Sequence, residues 1–239
     1  RRFDAIKDPT RRTVAAMLSA MDDSIGRVLD ALRKHGLEEQ TLVFFISDNG
    51  GPTSQTTSSN LPLRGSKGQL LEGGIRVPFI IQWKGRLPAG KVDGRPVIQL
   101  DVLATAMAAA GLAVSPDWKL DGVNLLPFLN GEKAGPPHDT LYWRIQNQHA
   151  IRRGDWKLIL TGGEIFSGAG EITAPKAELF NIAQDRTESR NLAAANPQKL
   201  GELLVAWRDY VRETGTLEIP LIAKQADVYV RADGLAPEQ

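Results

Sequence analysis

Two short runs of apolar, β-forming residues constrain the fold of this 239-residue chain most: Leu42-Val43-Phe44-Phe45-Ile46 and Pro78-Phe79-Ile80-Ile81-Gln82-Trp83. Neither alternates apolar with polar positions as a half-solvated strand would. Each therefore reads as a strand covered on both faces, the pattern of a parallel sheet flanked by helices. The 31 residues between them are rich in Gly, Ser and Thr and carry little periodicity. That length is excessive for a plain connection in a packed domain and marks a functional loop.

Helices are legible on either side. Across residues 11–35, Val14, Met17, Leu18, Met21, Ile25, Val28, Leu29 and Leu32 fall at helical spacing, with Asp8-Pro9 as the start, His35 near the end and Gly36 as a left-handed C-cap. Residues 101–112 read as a helix closed by Gly111, and 125–129 as a single helical turn. Gly135-Pro136-Pro137 breaks both helix and strand, so a boundary is expected there, with an α/β part over 1–135 and a small α+β unit over 136–239. In the second part, 140–145, 149–151 and 156–160 are short strand candidates joined by polar turns such as Arg153-Gly154-Asp155. Residues 197–212 form a helix with Leu200, Leu203, Leu204, Trp207 and Val211 on one face, and the tail after Gly215 has no clear period. The expected fold class is α/β, a partial central sheet flanked by helices, with a small C-terminal antiparallel sheet and its packed helix.

Charge and composition narrow the function only by exclusion. The 29 Lys and Arg against 28 Asp and Glu give a net charge of +1, so there is no bulk field to recruit nucleic acid or an anionic membrane, and any anion binding must be local. With no Cys, these residues offer neither a disulfide, nor a thiolate metal site, nor a cysteine nucleophile. No stretch approaches the roughly 20 apolar residues that span a bilayer. The three histidines, His35, His138 and His149, read as caps or surface residues.

Two motifs could carry chemistry. Ser47-Asp48-Asn49-Gly50-Gly51 directly follows the first strand, where ligands bind in open α/β sheets. Taken alone it reads first as an Asn-Gly turn capped by its own aspartate; it also offers a carboxylate and an amide oxygen, two hard ligands for Ca²⁺ or Mg²⁺. The second is Leu63-Arg64-Gly65-Ser66-Lys67-Gly68 with Leu71-Glu72-Gly73-Gly74-Ile75-Arg76-Val77-Pro78 behind it. Glycines beside Lys67 allow close approach of an ammonium to a sulfate or phosphate oxygen, or simply make a flexible basic loop. Glu72 and Arg76 read as a loop-bracing ion pair, and Arg64 is within reach of a substrate.

Taken in order, these motifs, together with LDGVNLLPFLNG and RRGDWKLI, resemble the C-terminal half of type I, formylglycine-dependent sulfatases of the alkaline phosphatase superfamily, with the texture of the arylsulfatase and N-acetylgalactosamine-6-sulfatase branch. The resemblance covers roughly residues 13–192. It implies an alkaline-phosphatase-like sandwich and hydrolysis of sulfate monoesters, on a sulfated small molecule or carbohydrate. It maps one Ca²⁺ ion onto Asp48 and Asn49, and the sulfate- and leaving-group-contacting lysine onto Lys67. Asn49 separates the chain from phosphatase and phosphonate-hydrolase relatives, in which His often follows the aspartate to hold a transition metal. The Cys/Ser-x-Pro-x-Arg motif that becomes formylglycine does not occur in these residues, nor does the paired aspartate that would complete the metal site; Asp22-Asp23 lies inside the first helix. The expectation is therefore half a site, alone inactive or a binding module. A missing N-terminal half or a second chain would cover an exposed sheet edge. The compartment stays open, with the family leaning to periplasmic or secreted.

Overall fold

A computed structural model of the protein describes residues 2–162 and 176–214. The chain divides into two compact units. The first takes residues up to Asp48, Pro52–Ser58 and Val77–Asp139; the second takes Asn49–Gly51, Ser59–Arg76 and the described residues from Thr140 onward. The expected boundary at 135/136 falls near the 139/140 junction, but two segments from well before it belong to the second unit.

In the first unit, α1 (Pro9–Lys34) begins where the sequence indicates. Asp8 accepts the Arg11 N–H at 2.6 Å, and Pro9 occupies the first helical turn, where its missing N–H has no cost. His35 is the C-cap and Gly36 follows at φ +63°, the left-handed stop that glycine adopts without strain. None of the helix is buried, and Met17, Leu18, Met21 and Val28 of its apolar stripe are exposed.

The two apolar runs form β1 (Val43–Ile46) and β2 (Phe79–Gln82). They pair antiparallel, Val43 opposite Gln82 and Ile46 opposite Phe79, which corrects the expected parallel arrangement. A run of four apolar residues carries no record of strand direction; only the pairing does. The described residues cover one face of this pair but not the other: Phe45 and Ile80 are cross-strand partners on one face, and both are exposed. On the other face Phe44 meets Phe79 edge to face, centroids 6.3 Å apart. Helix α4 (Asp101–Ala109) and the short α5 (Leu126–Leu129) complete this unit's described helices beside α1, with a four-residue turn, α2 (Thr53–Thr56), in the loop after β1. Asp101 is fully buried and accepts from Ile98 N, Val123 N and His138 Nε2 at 2.8–2.9 Å. His138 is thus a core partner of a carboxylate, not the cap or surface residue expected.

The second unit is built on a four-stranded antiparallel meander, β3 (Thr140–Ile145), β4 (Gln148–Arg153), β5 (Trp156–Thr161) and β6 (Lys176–Asn181), in chain order. Strand β6 was not among the candidates. Strand alternation assigns the two faces. Ile151, Leu158, Leu160 and Leu179 face α6 (Pro197–Thr214), burying Leu200, Leu203, Leu204, Trp207 and Val211. His149 lies on that face, 2% exposed, with its ring edge-on to Trp207 at 5.0 Å, so it too is a core residue and neither cap nor surface. On the opposite face Ala150, Ile159 and Phe180 pack against Leu70, Leu71 and Ile75. The glycine-rich loop, with its short helix α3 (Glu72–Ile75), is therefore the second cover of this sheet.

Candidate active site

Asp48 stands just past the end of β1. Ser47 N donates to Pro78 O at 3.1 Å, and Ser47 O accepts from Gln99 Nε2 at 3.4 Å, so the strand remains held up to the residue before the aspartate. Asp48 is exposed, as a carboxylate meant for a ligand or for solvent must be.

Asn49-Gly50-Gly51 is part of the second unit, where backbone meets backbone at unusually short range. Gly50 N donates to Gly74 O at 2.9 Å, and a Cβ on Gly50 would lie 1.7 Å from Gly73 O. Cβ atoms on Gly73 and Gly74 would fall 2.5 Å and 2.0 Å from the carbonyl oxygens of Gly65 and Gln69. Only glycine fits at these three positions, which explains a spacing that otherwise suggests flexibility. Asn60 ties the same knot with its side chain: Oδ1 accepts from Gly51 N at 2.9 Å, and Nδ2 reaches Gly51 O and Gly65 O at 3.0 Å. Asn49 Nδ2 donates to Gly50 O at 3.0 Å, committing the amide nitrogen to the backbone, so a cation would be met by Oδ1.

Lys67 lies in this loop and its backbone N–H points to Gly51 O at 3.4 Å. Its side chain is exposed and forms no salt bridge among the described residues, leaving the ammonium available to an anion. The other loop charges are occupied. Arg64 pairs with Glu178 at 3.4 Å and donates to Glu188 O at 3.0 Å, so it holds the loop. Glu72 and Arg76 pair at 3.2 Å, as the motif suggests.

Reading the residues missed the deeper partner of Glu72. Lys157 of β5 is wholly buried, with Nζ 2.8 Å from Glu72 Oε1 and 2.9 Å from Glu188 Oε1. Burial works against the Glu72 charge, but the Lys157 ammonium, with Arg152 and Arg76, outweighs it and holds that carboxyl below the ordinary range. For Glu188 burial wins: its carboxyl is raised, Lys157 offsetting only part of the penalty. The available signal was a lysine inside the apolar run Trp156-Lys157-Leu158-Ile159-Leu160, where a solvated side chain is out of place.

The oxygens of Asp48 and Asn49 suit Ca²⁺, and they are fewer than the six to eight that the ion takes. Among the described residues no group of three His, Cys, Asp or Glu could hold a metal, so further ligands would have to come from elsewhere.

The family model described as "Sulfatase" matches residues 2–112. Arylsulfatase D of Homo sapiens is 34% identical over 201 residues, covering 72% of this chain and 34% of that protein. The uncharacterized sulfatase YdeN of Escherichia coli strain K12 is 28% identical over 234 residues, 82% of this chain and 40% of its own length. Among solved structures, Ps i-CgsB in complex with k-i-k-neocarrahexaose superposes with a TM-score of 0.76 at 28% identity, over 99% of this chain and 50% of that one. The chain thus spans half or less of the length of these relatives, and its fold is the alkaline-phosphatase-like α/β architecture that they share. It belongs to the sulfatase family.

Proposed function

We propose that the protein to which this chain contributes hydrolyses sulfate monoesters of carbohydrates, with Asp48 and Asn49 as two ligands of one Ca²⁺ ion and Lys67 as the cation that meets the sulfate. The supporting observation is the glycine knot: the residues directly after Asn49 are hydrogen-bonded to the loop that presents the Lys67 ammonium. A carbohydrate substrate is inferred from the relative solved with a neocarrahexaose.

Lys67 would neutralise a non-bridging sulfate oxygen, or the oxygen that departs with the sugar, and a fixed point charge there stabilises the charge that develops as the S–O bond breaks. Bound at Asp48 and Asn49, the ion would add Lewis-acid polarisation of the sulfate. The formylglycine nucleophile has no precursor motif among the 239 residues and would be supplied from outside them. In the same way, the exposed apolar stripe of α1 and the Phe45/Ile80 face would be covered by a further part of the polypeptide or by a second chain. Residues 1–135 would then be part of the catalytic domain and 136–239 its smaller companion.

The test is aryl sulfate turnover by the full-length protein with Ca²⁺ present, beside the corresponding aryl phosphate. Lys67→Ala is expected to lower kcat about 100- to 1000-fold, as removal of a preorganised charge-stabilising group does. Unchanged turnover would remove Lys67 from the mechanism, and preference for the phosphate would overturn the sulfatase assignment.

A further inference from the structure

Three buried charges beneath the loop take no part in the chemistry proposed for Asp48, Asn49 and Lys67. Lys157 and Glu188 are fully buried and Glu72 is 3% exposed. Replacing such a cluster with apolar residues is often neutral or stabilising, so stability alone accounts poorly for it; fixing a geometry is its better-attested use.

The geometry concerned is an arch. At one end Arg64 is held by the Glu178 carboxylate and the Glu188 carbonyl. At the other, Glu72 is held by Lys157, while its backbone N–H donates to Glu188 Oε2 at 2.7 Å. Glu188 serves both ends and adopts φ +53°, a left-handed conformation that is strained for a side chain of its size. Arg152 and Lys157 are cross-strand neighbours on the loop-facing side of the sheet, so the lysine of the cluster stands on paired strands, while Glu188 reaches it from the connection between β6 and α6. Lys67 lies between the two pins, and Gln148 of β4 steadies the middle: its Nε2 donates to Gly68 O at 2.9 Å and its Oε1 accepts from Leu70 N at 3.3 Å.

We propose that Lys157 is a positioning residue: its ion pairs with Glu72 and Glu188 fix the 64–72 arch on the sheet and thereby set where the Lys67 ammonium stands relative to the Asn49-Gly50-Gly51 turn. This rests on the sulfate-binding role of Lys67 for its consequence in catalysis, and on the cluster geometry alone for its consequence in the loop.

Two readouts on the full-length protein separate these. In Lys157→Met, backbone amides of residues 66–74 are expected to exchange at least about tenfold faster while those of β3 to β5 keep their protection, the signature of local release. Aryl sulfate kcat is expected to fall about 100-fold with KM little changed, the effect of a misplaced catalytic group. Lys157→Arg, which keeps the charge, is expected to restore part of both. Should Lys157→Met not fold, Glu188→Gln carries the test, since it retains an acceptor for Glu72 N while losing the charge that faces Lys157. Loop and strand amides accelerating together would reduce the cluster to a general contributor to stability and overturn the proposal, as would unchanged loop exchange. A wild-type protein without sulfatase activity would refute the proposed function, and the exchange pattern would still decide the role of Lys157.

Discussion

His149 gives the second unit a built-in sensitivity to acid. Burial beside Trp207, with the Arg144 charge opposite it on β3, pushes the imidazole down from 6.5 to about 4. Its Nδ1 has no hydrogen-bond partner among the described residues, so nothing compensates the proton when it arrives. The folded state therefore holds the neutral ring, whereas the unfolded chain takes up a proton near pH 6.5. The stability that this difference represents is fully present above the unfolded value and is lost as pH falls towards the folded one. A depression from 6.5 to about 4 corresponds to about 3 kcal/mol. Carboxylates add to the acid response: Glu72 and Asp185 are held below the ordinary carboxylate range and lose their stabilisation mostly at lower pH than this, while Glu188 is raised and opposes them. The decisive quantity is thus a difference of profiles. Urea denaturation of wild type and His149→Phe, followed by Trp fluorescence at intervals from pH 8 to pH 4, should show the wild type losing about 3 kcal/mol more than the variant, mostly between pH 6.5 and pH 4. Ring size alters the baseline of the variant but not its pH dependence. Parallel profiles would show that the ring is protonated in the folded state without penalty, refuting the account of its burial.

Three further outcomes follow from the geometry. Gly74→Ala, whose Cβ would sit 2.0 Å from Gln69 O, should destabilise the second unit by about 1–3 kcal/mol in the same denaturation assay; Gly68→Ala meets no atom within 4 Å and should cost only the left-handed strain at φ +85°, about 1 kcal/mol. Ca²⁺ titrated calorimetrically into this chain should bind no more tightly than about 1 mM, since two oxygen ligands make an incomplete shell, and micromolar affinity would mean that the remaining ligands lie in these residues after all. Replacing Met17, Leu18 and Met21 with Gln should reduce self-association of the chain by light scattering; unaltered particle size would show that the α1 stripe does not drive it.

Much of the local architecture was legible because local rules dominated it. Asp8, Pro9 and Gly36 bound α1 through capping chemistry that needs no tertiary information, and Leu200, Leu203, Leu204, Trp207 and Val211 announced the buried face of α6 by spacing alone. What failed depended on distant partners. Strand direction for β1 and β2 is a property of pairing, and their apolar runs are the same in either sense. His138 and His149 looked like surface residues because a lone histidine says nothing of Asp101, 37 residues away, or of Trp207 on another element. Lys157, Glu72 and Glu188 are far apart in sequence; Lys157 stands out within its apolar run, but nothing local names Glu72 and Glu188 as its partners. For the candidate site, Asp48, Asn49 and Lys67 emerged from motif order, while the hydrogen-bonded knot that orders the loop around Asn49 and Lys67 became visible only in three dimensions.

The glycine knot separates shape from chemistry. Gly50, Gly73 and Gly74 seat the loop through backbone carbonyls and N–H groups, which every residue type except proline possesses, and the side chains exposed at its crest, Lys67 among them, contribute little to that seating. A crest residue can therefore be exchanged without rebuilding its support, while the smallest addition at the base, a single methyl group, disturbs every residue the loop carries.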